Sequence, residues 1–120
     1  MTRNRSSAKA AGTAFELLIA NYLAAHVDDR IERRVKHGAN DRGDIGGLRV
    51  LGNRWVIEAK DYGGRMLPAT WVGEAAVEAA NDDAVGGVVA IKRKGTRVPG
   101  EQFVLMTVDD LVALVTGDRP

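Results

Sequence analysis

The sequence predicts an α/β domain built on a mixed β-sheet of about five strands flanked by helices. Three observations carry that expectation. From Thr13 to about His26 the apolar residues Phe15, Leu18, Ile19, Tyr22 and Leu23 fall at i, i+3, i+4, i+7 and i+8, the spacing of an amphipathic helix with one core face. Between Asp44 and Lys60 two strand-like runs flank a glycine-containing turn. After a second helical pattern, Val85 to Lys92 is an apolar run of the kind found in a strand buried on both faces.

Taken in order, residues 1–12 are polar, small and basic and read as a flexible basic N-terminal arm, followed by one domain over 13–120. Gly12-Thr13 can begin the first helix, with Thr13 as N-cap and Glu16 completing a capping box. Arg30 to Val35 is a short strand, and the segment from Lys36 to Gly43 is a loop by composition. The hairpin runs from Asp44 to Val50 or Leu51, turns at Gly52-Asn53 and returns to Lys60. Pro68 suits the first turn of a second helix that ends near Asn81, with Trp71, Val72, Ala75, Ala76 and Ala79 on its inner face. Phe103 to Thr107 is a fifth strand, and Asp109 to Val115 a closing helix stopped by Gly117. The expected order is helix, three strands, helix, strand, strand, helix.

Composition excludes several classes of function. With no cysteine among 120 residues, disulfides, thiolate zinc sites and a cysteine nucleophile are ruled out, so any metal must sit on oxygen or imidazole. No apolar run approaches the roughly 20 residues needed to span a bilayer, and no signal-peptide pattern follows Met1, so a cytoplasmic location without a membrane partner is expected. The net charge of +1 conceals basic clusters at Arg3, Arg5 and Lys9, at Arg30, Arg33, Arg34 and Lys36, and at Lys92, Arg93, Lys94 and Arg97. Such clusters suit a polyanion such as DNA, although taken alone they also read as solvated loop charges.

The chemistry concentrates in Arg42-Gly43-Asp44-Ile45 and Val56-Ile57-Glu58-Ala59-Lys60, which together spell D…E-x-K. Glu58 and Lys60 lie two apart on one strand and therefore leave the same face of the sheet. Two carboxylates and an ammonium on apolar strands are costly to bury without a partner, and a divalent cation resolves that cost. Mg²⁺, with Mn²⁺ as a substitute, takes oxygen ligands, and Asp44, Glu58 and the Ala59 carbonyl are candidates, with Glu16 a third carboxylate. Such an ion suits phosphodiester hydrolysis, in which Lys60 would relay a proton, orient water or clamp the phosphate. The competing reading is a surface hairpin with a Glu-Lys pair of little energetic worth.

Register sets a condition on this site. With a two-residue turn at Gly52-Asn53, Asp44 faces away from Glu58 and Lys60; a three-residue turn or a bulge at Gly46-Gly47 brings it back. Beside the motif, Arg42, Tyr62 and Arg65 are candidates for touching DNA. His37 is a candidate for activating water or contacting phosphate, although a single loop histidine is more often solvated. His26 is a helix C-terminal residue suited to the dipole, and Trp71 is read as helix-to-sheet packing before base stacking.

On these residues the chain resembles the PD-(D/E)xK nuclease superfamily, with its restriction-endonuclease-like core, and most of all the small Holliday junction resolvases of the archaeal type and their phage relatives. The resemblance covers most of the chain: a basic N-terminal segment, a helix glutamate at Glu16, Asp44, and Glu58-Ala59-Lys60. It implies that Glu16, Asp44 and Glu58 bind Mg²⁺ while Lys60 assists the attacking water. It also implies a homodimer acting on branched DNA such as four-way junctions. The proline that usually precedes the aspartate is Gly43 here. Two alternatives remain: a related nuclease with a nicking, repair or end-processing target, and a DNA-binding module of the same fold that has lost catalysis.

Overall fold

The first helix, α1, runs from Arg5 to His26 in the computed structural model, which describes residues 3–35 and 40–120. It begins well ahead of Thr13, so the expected boundary at residue 12 falls inside a helix. The cap is Asn4: its side chain accepts the Ser7 N–H at 2.8 Å, and Ser7 Oγ accepts the Asn4 N–H at 3.1 Å. With that box in place the Ser-Ser-Ala-Lys-Ala-Ala stretch, rich in good helix formers, continues into the amphipathic segment. Thr13 and Glu16 are thereby mid-helix and do not cap it.

Five strands then build one sheet, β1 (Glu32–Arg33), β2 (Ile45–Val50), β3 (Asn53–Lys60), β4 (Gly86–Ile91) and β5 (Phe103–Leu105), in that spatial order. Helix α2 (Pro68–Asn81) connects β3 to β4, which pair in parallel from Trp55↔Gly86 to Lys60↔Ile91; all other pairings are antiparallel. Helix α3 (Val108–Thr116) closes the described chain, capped by Thr107 and ended by Gly117 at φ 87°. The mixed five-stranded α/β architecture and the element order match the sequence expectation. None of the helices is long and apolar enough to cross a membrane, among the described residues.

The sheet separates two apolar layers. Ile57, Val88 and Ala90 pack with Phe15 and Ile19 of α1 and Ala113 of α3, while Val89 and Ile91 pack with Trp71 and Ala75 of α2. β4 is buried along its whole length, as its apolar run requires. Trp71 is 1% exposed and belongs to the core. The inner face of α2 differs from expectation: it is Trp71, Ala75, Glu78 and Ala79, while Val72 is only half-buried and Ala76 is exposed. Trp71 is the largest side chain on the helix and sets its rotation, and Ala75, Glu78 and Ala79 follow it at helical spacing.

The hairpin meets the register condition by a bulge. Its two-residue turn is Leu51-Gly52, one position earlier than expected, with φ of 53° and 80°. These are the two positive values that a type I′ turn requires. Asn53 is spent elsewhere, its side chain donating to the Gly117 carbonyl at 2.8 Å. Leu48 pairs with Trp55 but Ile45 pairs with Ile57, so an extra residue is inserted at Gly46-Gly47. Without it Asp44 would oppose Ala59; with it Asp44 opposes Glu58, on the same face.

Candidate active site

Asp44 sits where the β2 side of the hairpin begins, and its buried position follows from three backbone bonds. Its N–H donates to the Ile57 carbonyl at 3.0 Å, its carbonyl accepts from the Arg34 N–H at 2.7 Å, and its Oδ2 accepts the Ala59 N–H at 2.8 Å. The carboxylate thus takes the place of the next ladder partner, and β3 runs on past it. A residue's N–H and C=O point to the same side of a strand, so the Ala59 carbonyl also faces the space where β2 is absent. Lys60 behaves as the alternate residue should, its carbonyl accepting from Lys92 N–H on the β4 side at 2.9 Å.

The loop before Asp44 is fixed from several directions. Arg34 donates to the Arg42 carbonyl at 2.6 Å and pairs with Asp82 at 3.1 Å; Asn81 of α2 donates to the Asp41 carbonyl at 2.8 Å. Gly43 has φ 93°, and a Cβ there would sit 3.1 Å from the Val56 Cβ. Proline, locked near −65°, cannot adopt that backbone. A glycine at this position follows from the loop's own path into the strand.

Four carboxylates converge: Asp44 and Glu58 from the hairpin, Asp41 from the loop and Glu78 from α2. Ligand oxygens of Asp41, Glu58 and Glu78 lie within 4.8 Å of one another. Asp44, Glu58 and Glu78 are 1%, 3% and 8% exposed. Buried Oε2 atoms of Glu58 and of Glu78 have no hydrogen-bond partner among the described residues. Burial, with the neighbouring Asp44 and Glu78 carboxyls, pushes Glu58 up to about 12. Glu78 rises to about 7, burial and the charges of Asp41 and Asp44 outweighing the lowering effect of the neighbouring Glu58 carboxyl. A hard divalent cation fits this oxygen-only, anion-rich set.

Lys60 stands beside the cluster, its Nζ 2.6 Å from Glu74 Oε2 on α2 and 5.8 Å from the Tyr62 ring centre. Burial works against its charge, but the Glu74 bond and the charges of Glu58 and Glu74 prevail and raise its pKa. A cleft of about 690 Å³ opens between the first half of α1 and the end of β3, bounded by Arg3, Lys9, Glu16, Arg33, Lys60 and Tyr62 among others. A neighbouring groove of about 510 Å³ shares Arg3, Asp61 and Gly63 and continues to Lys94 and Arg97.

The structure therefore brings Asp44, Glu58, Ala59 and Lys60 together as expected, and does not place Glu16 within the close trio. Glu16 lies on the wall of the cleft, where its Oε1 accepts from Arg33 Nε at 2.9 Å. Among the candidate DNA contacts, Lys9 lines the cleft, Arg5, Arg42 and Arg65 are exposed, and Tyr62 is half-exposed with its ring edge-on to Trp71. Arg3 reaches the cleft while paired with Asp61 at 3.1 Å. Arg34 and Lys92 are committed internally, Arg34 as above and Lys92 to the Arg93 and Thr96 carbonyls. Lys36 and His37 lie outside the described residues. Glu78 and Asp41 escaped the sequence reading. A signal for Glu78 was present: it follows Trp71 by seven and Ala75 by three, an acid on the stripe where the periodicity calls for an apolar side chain.

A stability measurement checks the electrostatics. The folded protein holds protons on Glu58 and Glu78 that the unfolded chain releases near pH 4.5, so in chelator its stability falls as pH rises from about 4.5 through about 7 and beyond. Denaturant midpoints measured across that range, with EDTA and with Mg²⁺, should show a decline that the cation flattens. In comparisons with protein-family models, curated proteins and solved structures, no match was found.

Proposed function

We propose that the protein is a divalent-metal-dependent endodeoxyribonuclease of the restriction-endonuclease-like type, hydrolysing phosphodiester bonds in DNA. The observation that carries this reading is the bulge at Gly46-Gly47, which sets Asp44 opposite Glu58 at the open end of β3, with Lys60 on the same face and the Ala59 carbonyl facing the gap. Asp44, Glu58 and the Ala59 carbonyl would hold the cation. A bound Mg²⁺ supplies a polarised phosphate, an activated water and charge neutralisation on the leaving oxygen.

The chain's own residues do the rest. Asp44 is fixed by the Ala59 N–H, so its carboxylate is aimed without reorganisation. Lys60, kept protonated by Glu74 and Glu58, is a donor to the phosphate or to the water. Arg3, Lys9 and Arg33 line the cleft beside them and suit a phosphate backbone, which makes binding salt-sensitive. Preference for branched DNA, and the homodimer that would cut two strands of a junction, follow from the resemblance to the archaeal-type resolvases. The exposed apolar residues Val108, Leu111 and Val115 along α3 are available to a second copy.

The test is cleavage of labelled four-way junction, flap, single-strand and matched duplex DNA, in Mg²⁺, Mn²⁺ or EDTA. Metal-dependent cutting of the junction ahead of the duplex is the expected result. Cutting of flap or duplex in preference to the junction keeps the nuclease and removes the resolvase assignment. Binding to every substrate with no cutting in either metal overturns the catalytic reading.

A further inference from the structure

We infer that Glu78 of α2, together with Asp41, is a direct ligand of the cation held by Glu58, occupying the position that the resemblance would give to Glu16. The inference deepens the reading above and rests on it for the cation's presence beside Asp44 and Glu58. Its first ground is geometry: oxygens of Asp41, Glu58 and Glu78 lie within 4.8 Å of one another, close enough for one ion to bridge them. The second is independent. Glu78 is 92% buried by its 8% exposure, and its Oε2 has no partner among the described residues. Glu58 Oε2, in a residue 3% exposed, is in the same condition. Natural structures rarely leave buried carboxylate oxygens unsatisfied, and here two meet inside one cluster.

Among the described residues, the neighbouring cations are engaged elsewhere. Lys60, on the same face, is engaged by Glu74, and Arg34 and Arg54 are both drawn to Asp82 at 3.1 and 3.2 Å. Asp41 is preset for ligation, since one of its oxygens accepts the Gly43 N–H at 3.0 Å and its carbonyl is held by Asn81 of α2. Asn81 and Glu78 are one turn apart on α2, so the helix that supplies the ligand also anchors the loop. Glu16, by contrast, already accepts from Arg33 across the cleft.

Mn²⁺ binding, followed by loss of the free-ion electron paramagnetic resonance signal, tests this without DNA. Glu78→Gln should weaken Mn²⁺ binding at least about tenfold, while Glu16→Gln changes it less than about threefold. Asp41→Asn, on the loop and outside the helix packing, should weaken it in the same direction and serves if Glu78→Gln fails to fold, as judged by circular dichroism. Wild-type affinity in folded Glu78→Gln, or in Asp41→Asn should Glu78→Gln not fold, overturns the inference, as does a wild-type protein that binds no Mn²⁺. The nuclease reading fails separately: Mn²⁺ bound through Glu78 with no DNA cut in any metal removes that reading and leaves the site. DNA cleavage by the wild type with undiminished Mn²⁺ binding in Glu78→Gln does the reverse.

Discussion

Glu58→Gln is expected to lose DNA cleavage by at least about 100-fold, and Asp44→Asn and Lys60→Ala to do the same. The three substitutions fail for different reasons. Glutamine at 58 keeps the volume of a 3% exposed side chain but removes the negative charge that draws a cation. Asparagine at 44 can still accept the Ala59 N–H, so β3 keeps its place while the anionic ligand is gone. Alanine at 60 leaves the carboxylates intact and removes the ammonium that Glu74 holds beside them. In chelator, Glu58→Gln should melt no lower than the wild type, because it relieves crowding among Asp44, Glu58 and Glu78. DNA affinity, measured by gel shift in Ca²⁺, should change little, since the proposed phosphate contacts are the cleft residues Arg3, Lys9 and Arg33. Cleavage retained in any of the three, with purity shown by a null double variant, removes that residue from the site.

Gly47→Ala is expected to destabilise the protein by about 3 kcal/mol, a large effect for one methyl group. Gly47 has φ 89°, where an L side chain is strained, and a Cβ there would overlap the Arg30 carbonyl and the Ile31 backbone. The chain can escape by expelling the bulge. That slip would set Asp44 against Ala59 and turn its side chain to the α1 face, away from Glu58 and Lys60. Chemical denaturation reads the first effect, and cleavage by the folded fraction reads the second. Gly52→Ala is the control: Gly52 also has positive φ, but its Cβ would meet no atom within 4 Å, so it should carry only the conformational cost, about 1 kcal/mol. Equal losses in the two variants would show that close packing under the bulge is not what holds the register.

Much of this arrangement was legible from residue types alone, and the reasons differ by element. β4 announced itself because a strand covered on both faces has no polar side, and Val88, Val89 and Ile91 fit nothing else in so short a run. The bulge was foreseeable because Asp44, Glu58 and Lys60 make chemical sense only on one face, and Gly46-Gly47 was the place where an irregularity costs least. The start of α1 was not legible: Asn4-x-x-Ser7 and Thr13-x-x-Glu16 are both plausible caps, and the choice depends on whether residues 5–12 have something to lie against. The pairing of Arg3 with Asp61 at 3.1 Å supplies one such tie, between segments far apart in sequence.

The sequence by itself determined the secondary-structure order, the mixed sheet and the D…E-x-K core of the site, because these depend on periodicity and on charges that an apolar strand pair tolerates only for a purpose. Which helix glutamate comes to lie against Glu58 was decided by the tertiary structure alone. Glu16 and Glu78 are both acids on the apolar stripe of an amphipathic helix, and nothing local separates them. The rotation that Trp71 imposes on α2 turns Glu78 onto Glu58, while β1 meets Glu16 with the guanidinium of Arg33. A carboxylate becomes a cation ligand or an ion-pair partner according to what packs across from it, and that is set only when the sheet is assembled.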